Sequence, residues 1–546
     1  MTNDALPEYV RALLESAAYP HAPSEVRLVQ THISYVFLAD GLVYKTKKPV
    51  DFGFINQMAA EARERFCHEE VRLNTRLAPD VYLGVAPVVR RADGSYIVDV
   101  PVEAGAVVVE WAVKMRRLPD DRTLDVVLDA NRAPGRLAER LVQALIAFHE
   151  AAGVVGDEST GPTPGGRSYA GGPAETAWWA REYAEAAINI APDGTWRAED
   201  AAETKAFFDS TIEAEQALFD ARLAAGRVVE GHGDLQAKHV YLLGAAMEQI
   251  AIVDCIEFTD WFHFRYLDVG YDVAFLAMDL EAQGHAALGD ELAGRYIAGA
   301  HDETMGVLQP LHRAFRAFVR GKVESIGARA TELPAAQRAE LGASAARYFR
   351  LAAEYGRRGA APSLVVLCGL QGTGKSTVGA TLAGRIGAAY LSSDAIRKEL
   401  AGLDPRARVE DADREGLYSG PMSGRTYAEL RRRAGVHLAA GRPVVVDATH
   451  PRASERRETL GVAQAHGVPG LIVELRLDEA EAYARIDGRA DDPLRISDAT
   501  REVYDAARRR FQPVQPAEGP QLILDATREP AALAREIASM LPARDA

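Results

Sequence analysis

The run Gly369-Leu-Gln-Gly-Thr-Gly-Lys375-Ser376-Thr377 sets glycines, a lysine and paired hydroxyls in the order G-x-x-x-x-G-K-S-T. Gly369, Gly372 and Gly374 give the backbone the freedom to turn successive N–H groups inward around a phosphate. The positive end of a following helix adds to that attraction. Lys375 can then reach the β- and γ-phosphates, and Ser376, with Thr377 beside it, can hold Mg²⁺. The β-forming run Leu364–Leu367 precedes this loop and the helical segment Val378–Ile386 follows it, which is the context a phosphate loop requires. The sequence therefore predicts a site for ATP, or another nucleoside triphosphate, with Mg²⁺.

Further along, Ala389–Lys398 reads as a strand ending at Asp394, with Arg397 on the first turn of the next helix. Open α/β sheets bind ligands at that edge. There, a carboxylate can take the proton of an acceptor hydroxyl, and an arginine can hold an acceptor anion or the moving phosphoryl group. The competing reading is an aspartate N-cap with an incidental helix arginine. Pro443-Val-Val-Val-Asp447 is a buried strand with Asp447 at its end, a place for a carboxylate that holds Mg²⁺. Arg485 and Arg489, before a helix start at Ser497-Asp-Ala499, suggest a lid that closes on phosphates. Helix arginines are also commonly a solvated face.

The first half carries its own candidates. Asp40-Gly41 marks a hairpin between Ser34–Ala39 and Leu42–Lys47, and strand alternation places Val43, Lys45 and Lys47 on one face. A long amphipathic helix, Ala59–Arg76, follows and brings Glu69 and Glu70. Pairing a strand lysine with a helix glutamate is how protein-kinase-like folds hold ATP phosphates, so Lys45 and Glu70 are the candidates, with Glu70 preferred for its place beside Val71. Strands near Val81–Val85, Ser95–Val100 and Val107–Val113 come next. Helices span Leu124–Asp129, Gly135–Ala151, Glu175–Ala187 and Glu199–Ala225, with a Gly/Pro/Ser-rich loop over Gly153–Gly172. Two acidic residues stand beside β-rich runs, in His232-Gly233-Asp234 and in Ile250-Ala-Ile-Val-Asp254.

The first of these runs resembles the catalytic loop His-Gly-Asp-x-x-x-x-Asn of aminoglycoside phosphotransferases. Tyr35-Val-Phe-Leu, Tyr44-Lys-Thr-Lys-Lys-Pro-Val50, Cys67 to Pro79 and Asp272 to Leu280 extend the likeness. The whole chain resembles bacterial proteins that fuse such a unit to a P-loop kinase. The resemblance implies that Asp234 is the general base and Asp254 holds Mg²⁺. It places His239 where the family has a metal-binding asparagine, a departure because Mg²⁺ prefers oxygen. Asp268 and Asp272 read as residues that cap and fix a helix. The motifs of the second half resemble P-loop small-molecule and polynucleotide kinases, including gluconate-kinase-like and zeta-toxin-like enzymes.

The expected fold is an α+β protein-kinase-like domain of two lobes over 1–355, a linker over 356–362, and an α/β P-loop domain with a doubly wound parallel sheet over 363–546. The lobes are expected at about 1–113 and 114–355. At 546 residues the chain is too long for one core, and 48% hydrophobic with 26% charged residues suits a globular protein. A net charge of −15 argues against a nucleic-acid partner. Cys67, Cys255 and Cys368 are scattered and read as reduced thiols. No leader-like or membrane-length apolar stretch is seen, so a cytoplasmic protein with a small-molecule hydroxyl acceptor is expected. Two kinase sites would act on sugars, aminocyclitols or related metabolites. The alternatives are a P-loop half acting on a nucleotide sugar or nucleic-acid 5′-hydroxyl, and a first half that only binds ligand and regulates.

Overall fold

Alternating apolar and polar residues build a six-stranded antiparallel sheet from the first part of the chain. Its strands are β1 (Val26–Gln30), β2 (Ser34–Ala39), β3 (Leu42–Lys47), β4 (Tyr82–Arg90), β5 (Tyr96–Val98) and β6 (Val107–Arg116), in the order β1-β2-β3-β6-β4-β5. Ala39 faces Leu42 across a two-residue turn, and Asp40 takes φ 53°, as the twist of such hairpins demands. One face packs Phe37, Tyr44, Val88 and Ala112 with Val10 and Leu13. The other carries Val113 and is covered by helix Ala60–Asn74 through Cys67. Lys45 and Lys47, two apart on β3, share the helix-facing side.

The computed structural model describes residues 6–52, 55–153, 195–257, 266–331, 333–407, 416–488 and 500–544. They form two compact units. The first takes its described residues from 1–135, 148–175 and 218–272, the second from 136–147, 176–217 and 273–546. Besides the large sheet, the described residues of the first unit form two small antiparallel pairs. These are β7 (Val228–Glu230) with β10 (Tyr266–Asp268), and β8 (Val240–Leu243) with β9 (Gln249–Ile252). The single helix expected over Glu199–Ala225 is two helices, Ala198–Ala214 and Gln216–Ala224. The break falls at Glu215, which is buried and bonded by Arg442. The expected Gly153–Gly172 loop, beyond Gly153, and the Glu175–Ala187 helix lie outside the described residues, as do Arg489 and Ser497–Ala499.

The second unit is organised by a parallel sheet of β11 (Leu364–Cys368), β12 (Ala389–Ser392), β13 (Val444–Asp447), β14 (Gly470–Arg476) and β15 (Gln521–Asp525), in the order β12-β13-β11-β14-β15. β11, β12 and β13 are buried along their whole length, as strands covered on both faces must be. The chain reverses its direction of strand addition beside β11, where ligand crevices open in such sheets.

Helices Ala286–Gly299 and Met305–Ala328, which the sequence reading placed with the first domain, pack on helix Lys375–Ile386 of this unit. The approach is close: a Cβ at Gly294 would lie 2.5 Å from the Thr381 amide nitrogen. Buried Asp290 joins them by accepting from Arg313 at 2.7 Å and from Arg385 at 2.9 Å. Tyr390 N donates to Glu303 O at 2.9 Å along edge strand β12. The expected linker is likewise tied down, with Ala360 N donating to Ile386 O and Ala361 N to Pro542 O. No helix among the described residues is long and apolar enough to cross a membrane.

Gly294→Ala forces a methyl against backbone. Overpacking of this kind costs about 1–3 kcal/mol. Chemical denaturation of the full chain is expected to show a lower midpoint for the unit holding the parallel sheet, and an unchanged midpoint would show that the two helices can part there.

Candidate functional site

Helix Ala60–Asn74 organises the charged cluster of the first unit. Glu70 is fully buried and accepts from Lys45 at 2.9 Å, while Lys45 also donates to Asp254 Oδ1 at 3.1 Å. Of the two glutamates Glu70 is the one that meets Lys45, whereas Glu69 bonds Arg72 on the surface. Lys47, also fully buried, bonds both Glu70 and Glu257. Sequence reading placed Lys47 on the right face but assigned it no partner, because nothing local announces a carboxylate 210 positions away. Burial opposes charge on Lys45, but Asp254 and Glu70 raise its pKa well above the usual lysine value. Three carboxylates face two lysines here, and burial pushes Glu257 up. Lys45 holds Asp254 well below the ordinary carboxylate range.

Asp254 takes φ 70°, a strained conformation for a residue with a side chain. Bonds on both sides hold it: Asp254 N donates to the Tyr82 hydroxyl, Cys255 N to Asn74 Oδ1 and Ile256 N to His232 O. Asp234 lies in the neighbouring loop, where Gln236 Nε2 donates to both its carboxylate oxygens at 2.8 Å. His232 is buried and its pKa is lowered by that burial. Its Nδ1 accepts from Asp234 N and its Nε2 lies 3.0 Å from Val253 O, a pairing that only the Nε2-protonated ring satisfies. His239 sits within reach of both aspartates, with Nδ1 2.7 Å from Asp234 O and Nε2 3.6 Å from Asp254 Oδ2.

Asp272 corrects an expectation. Although in the first turn of helix Val269–Ala282, its carboxylate does not cap that helix; it accepts from His232 N at 2.6 Å and Gly233 N at 2.9 Å. Turning inward satisfies two amides that the loop could not pair by itself. Asp268 does act at the helix start, accepting from Gly270 N, and also bonds buried Arg222.

In the second unit Gly369 has φ 139°, and a Cβ there would lie 2.6 Å from Leu475 O. Gly374, at φ 82°, is the residue from which helix Lys375–Ile386 starts, so the first amides of that helix face the loop. Lys375 Nζ donates to Leu370 O at 2.8 Å. Ser376 Oγ donates to Asp447 Oδ2 at 2.7 Å, and the Tyr390 hydroxyl donates to the same oxygen at 2.7 Å. This hydroxyl–carboxylate pair offers oxygen donors only, the set that Mg²⁺ favours.

Gly372, Gly374, Lys375, Ser376, Asp394, Arg397 and Asp447 line one cleft, with Tyr418 and Tyr427 as walls that sequence reading missed. Burial raises the Asp394 carboxyl above its ordinary value, with Arg397 opposing. Arg397 is buried, donates to Leu417 O and Ser423 Oγ, lies over the Tyr418 ring, and has no partner for its Nε among the described residues. The N-cap of helix Ser393–Leu400 is Ser392, not Asp394, which removes the competing capping role for that carboxylate. Thr377 and Gly369 do not line the cleft. Arg485 stands beside the loop, 3.9 Å from where a Gly374 Cβ would be, and donates to Ala526 O. Arg489 lies outside the described residues.

A family model described as an AAA domain matches residues 364–514. A shikimate kinase of Mycobacterium avium is 31% identical over 181 residues, 33% of this chain and 94% of that protein. A solved choline/ethanolamine kinase family protein of Mesorhizobium loti is 14% identical, over 64% of this chain and 98% of that one, with a TM-score of 0.35. Loop, strand order and cleft define a P-loop kinase domain, and the protein is an ATP-dependent kinase. An uncharacterized protein of Mycobacterium tuberculosis is 31% identical over 420 residues, 77% of each chain, and the chain belongs to the family of that protein.

The Asp272 clamp is open to test. Burial opposes charge on this carboxyl, yet hydrogen bonds from the His149 ring and the His232 amide hold it below the usual aspartate value. A lowered pKa stabilises the fold above the unfolded value of about 3.9, and that contribution fades only as pH falls toward the lower folded value. Asp272→Ala leaves two buried amides unpaired, at a cost of about 1–3 kcal/mol each. Faster amide exchange at His232 and Gly233 and a weaker dependence of stability on acid pH are expected; unchanged exchange would show that the loop stands without the clamp.

Proposed function

We propose that the second unit transfers the γ-phosphoryl group of ATP to a hydroxyl of a small molecule. The observation that carries this reading is the sharing of one cleft by the phosphate loop, the Ser376–Asp447 pair, and a partly buried aspartate with raised pKa. Gly372, Gly374 and Lys375 would hold the phosphates, and Ser376 and Asp447 would hold Mg²⁺, which neutralises charge on the phosphates when bound. Asp394 takes the acceptor proton, its affinity for that proton increased by burial. The Nε of Arg397, without a partner among the described residues, gives a buried donor for an acceptor anion or for the moving phosphoryl oxygens. Arg485 beside the loop is suited to close on the phosphates once its bond to Ala526 O is exchanged. Sugars, aminocyclitols and related metabolites fit this chemistry, and the shikimate kinase relative supports a small hydroxyl acceptor. The charge of −15 disfavours nucleic acid.

The first unit supports a second site of protein-kinase-like type, similar to aminoglycoside phosphotransferases. Lys45, steered by Glu70, would pair with nucleotide phosphates, Asp254 would hold the metal, and Asp234 would accept the hydroxyl proton. The half-exposed Asp254 carboxylate, held in its charged form by Lys45, fits a cation.

Acceptor-dependent ATP turnover over a panel of sugars, aminoglycosides and a 5′-hydroxyl oligonucleotide tests both sites. Lys375→Ala and Asp394→Asn are each expected to lower turnover of one acceptor set by about 10²–10⁴-fold, and Asp234→Ala to lower another. Because the base must be deprotonated and burial raises Asp394, the acid limb of kcat/KM should lie above the ordinary aspartate range. Turnover insensitive to Asp394→Asn would sink its role as base. If Lys375→Ala abolishes all turnover while Asp234→Ala changes none, the first unit is a ligand-binding module.

A further inference from the structure

His239 bears on what cation the first unit takes, an inference that rests on reading that unit as a nucleotide–metal site. The ring is buried, at 7% exposure, and its Nδ1 lies 2.7 Å from the Asp234 backbone oxygen. A carbonyl oxygen only accepts, so Nδ1 carries a proton, and in the neutral ring the lone pair is on Nε2. That nitrogen lies 3.6 Å from Asp254 Oδ2. The gap is too long for a hydrogen bond. It is a separation that two donors, each about 2.0–2.2 Å from one cation, readily take.

The surroundings fix the ring in this pose. His232 stacks on it, with centroids 6.2 Å apart and planes 18° off parallel. Its bond to the Asp234 carbonyl sets the tautomer, as outer partners of metal-binding histidines commonly do. Asp234 Oδ2 is 3.7 Å from Nδ1, on the protonated side, and Lys45 meets Asp254 through Oδ1. Oδ2 and Nε2 are therefore left toward each other. Alone they are two donors, and no group of three or more metal-binding side chains is present among the described residues. Phosphate oxygens and water would have to complete the shell, as is usual when a cation arrives with a nucleotide.

We propose that His239 Nε2 and Asp254 Oδ2 form a mixed nitrogen–oxygen site through which the first unit takes its nucleotide with a first-row transition-metal dication in preference to Mg²⁺. Mg²⁺ is hard and keeps to oxygen, whereas an imidazole nitrogen stabilises the transition-metal ions. The second unit, with only a hydroxyl and a carboxylate at its metal position, is left to Mg²⁺. One chain thus carries two cation sites of different preference.

The test uses the full chain carrying Lys375→Ala and Asp447→Ala, which silence the second site, with Mn²⁺ and ADP as probes. Pulsed electron paramagnetic resonance is expected to show coupling of Mn²⁺ to a histidine nitrogen, identified with isotope-labelled histidine. The coupling should vanish in His239→Asn, whose amide can still donate to the Asp234 carbonyl. The preference for Mn²⁺ over Mg²⁺ in binding ADP should fall by about tenfold or more in that variant. Mn²⁺ and ADP bound together, with binding lost in Lys45→Ala but no nitrogen coupling in the parent, overturns the mixed site and leaves the nucleotide reading standing. Failure of the parent to bind them at all overturns both. The parent measurement needs no folded His239 variant, so a variant that fails to fold cannot decide the matter.

Discussion

A charged group removed from water needs an opposite charge or a set of dipoles, and each proposed site is built around meeting that need. In the first unit two strand lysines and three carboxylates meet behind one helix, with Lys47 and Glu70 wholly enclosed. Such clusters are a poor source of net stability, because desolvation offsets most of the Coulombic attraction. What they supply is position. Glu70 cannot leave Lys45 without stranding a charge, so helix Ala60–Asn74, strand β3 and the Asp254 turn are held in one register. The same helix reaches that turn a second time through Asn74 and the Cys255 amide. The strained φ of Asp254 is tolerated because bonds from three directions over-determine it.

The second unit meets the same constraint with backbone as well as side chains. The phosphate loop collects amides at the start of helix Lys375–Ile386, and Lys375 meanwhile rests on the Leu370 carbonyl. Asp447 has two hydroxyl donors on one oxygen. Asp394 has no comparable set of donors among the described residues, and burial raises its pKa, the property on which its proposed role as base rests. The helix behind the loop is itself buried under Ala286–Gly299 and Met305–Ala328. Backbone there comes so near that Gly294 has no room for a side chain. The loop is thus anchored from behind as well as by its strand.

Much of this was legible in the chain because the signals are local. A parallel sheet buried on both faces writes itself as unbroken apolar runs such as Leu364–Leu367 and Val444–Val446, and a phosphate loop must place its glycines and lysine within a few residues. Strand alternation put Lys45 and Lys47 on one face, and the place beside Val71 favoured Glu70 over Glu69. Hidden were contacts between residues far apart in sequence. Glu257 with Lys47, Asp272 with the His232 amide, and Tyr390 with Asp447 each join segments whose separation no periodicity encodes. Asp272 misled for a physical reason. An aspartate in a first helical turn is usually a cap, and only the loop's unpaired amides drew it inward.

The sequence by itself determined the local chemistry: strand, loop and helix around Lys375, the hairpin before Lys45, and Asp447 at the end of its strand, whereas the strand expected to end at Asp394 stops at Ser392 and leaves Asp394 in the helix. These depend on backbone preferences and side-chain periods acting over a handful of residues. Tertiary structure alone decided the protonation and the company of those groups. It raised Asp394 by burial, lowered Asp254 beside Lys45, set the His239 tautomer through a carbonyl, and packed the helices of 286–328 onto the phosphate-loop helix. Desolvation and charge pairing depend on everything that surrounds a group, and that is known only once the chain has closed around it.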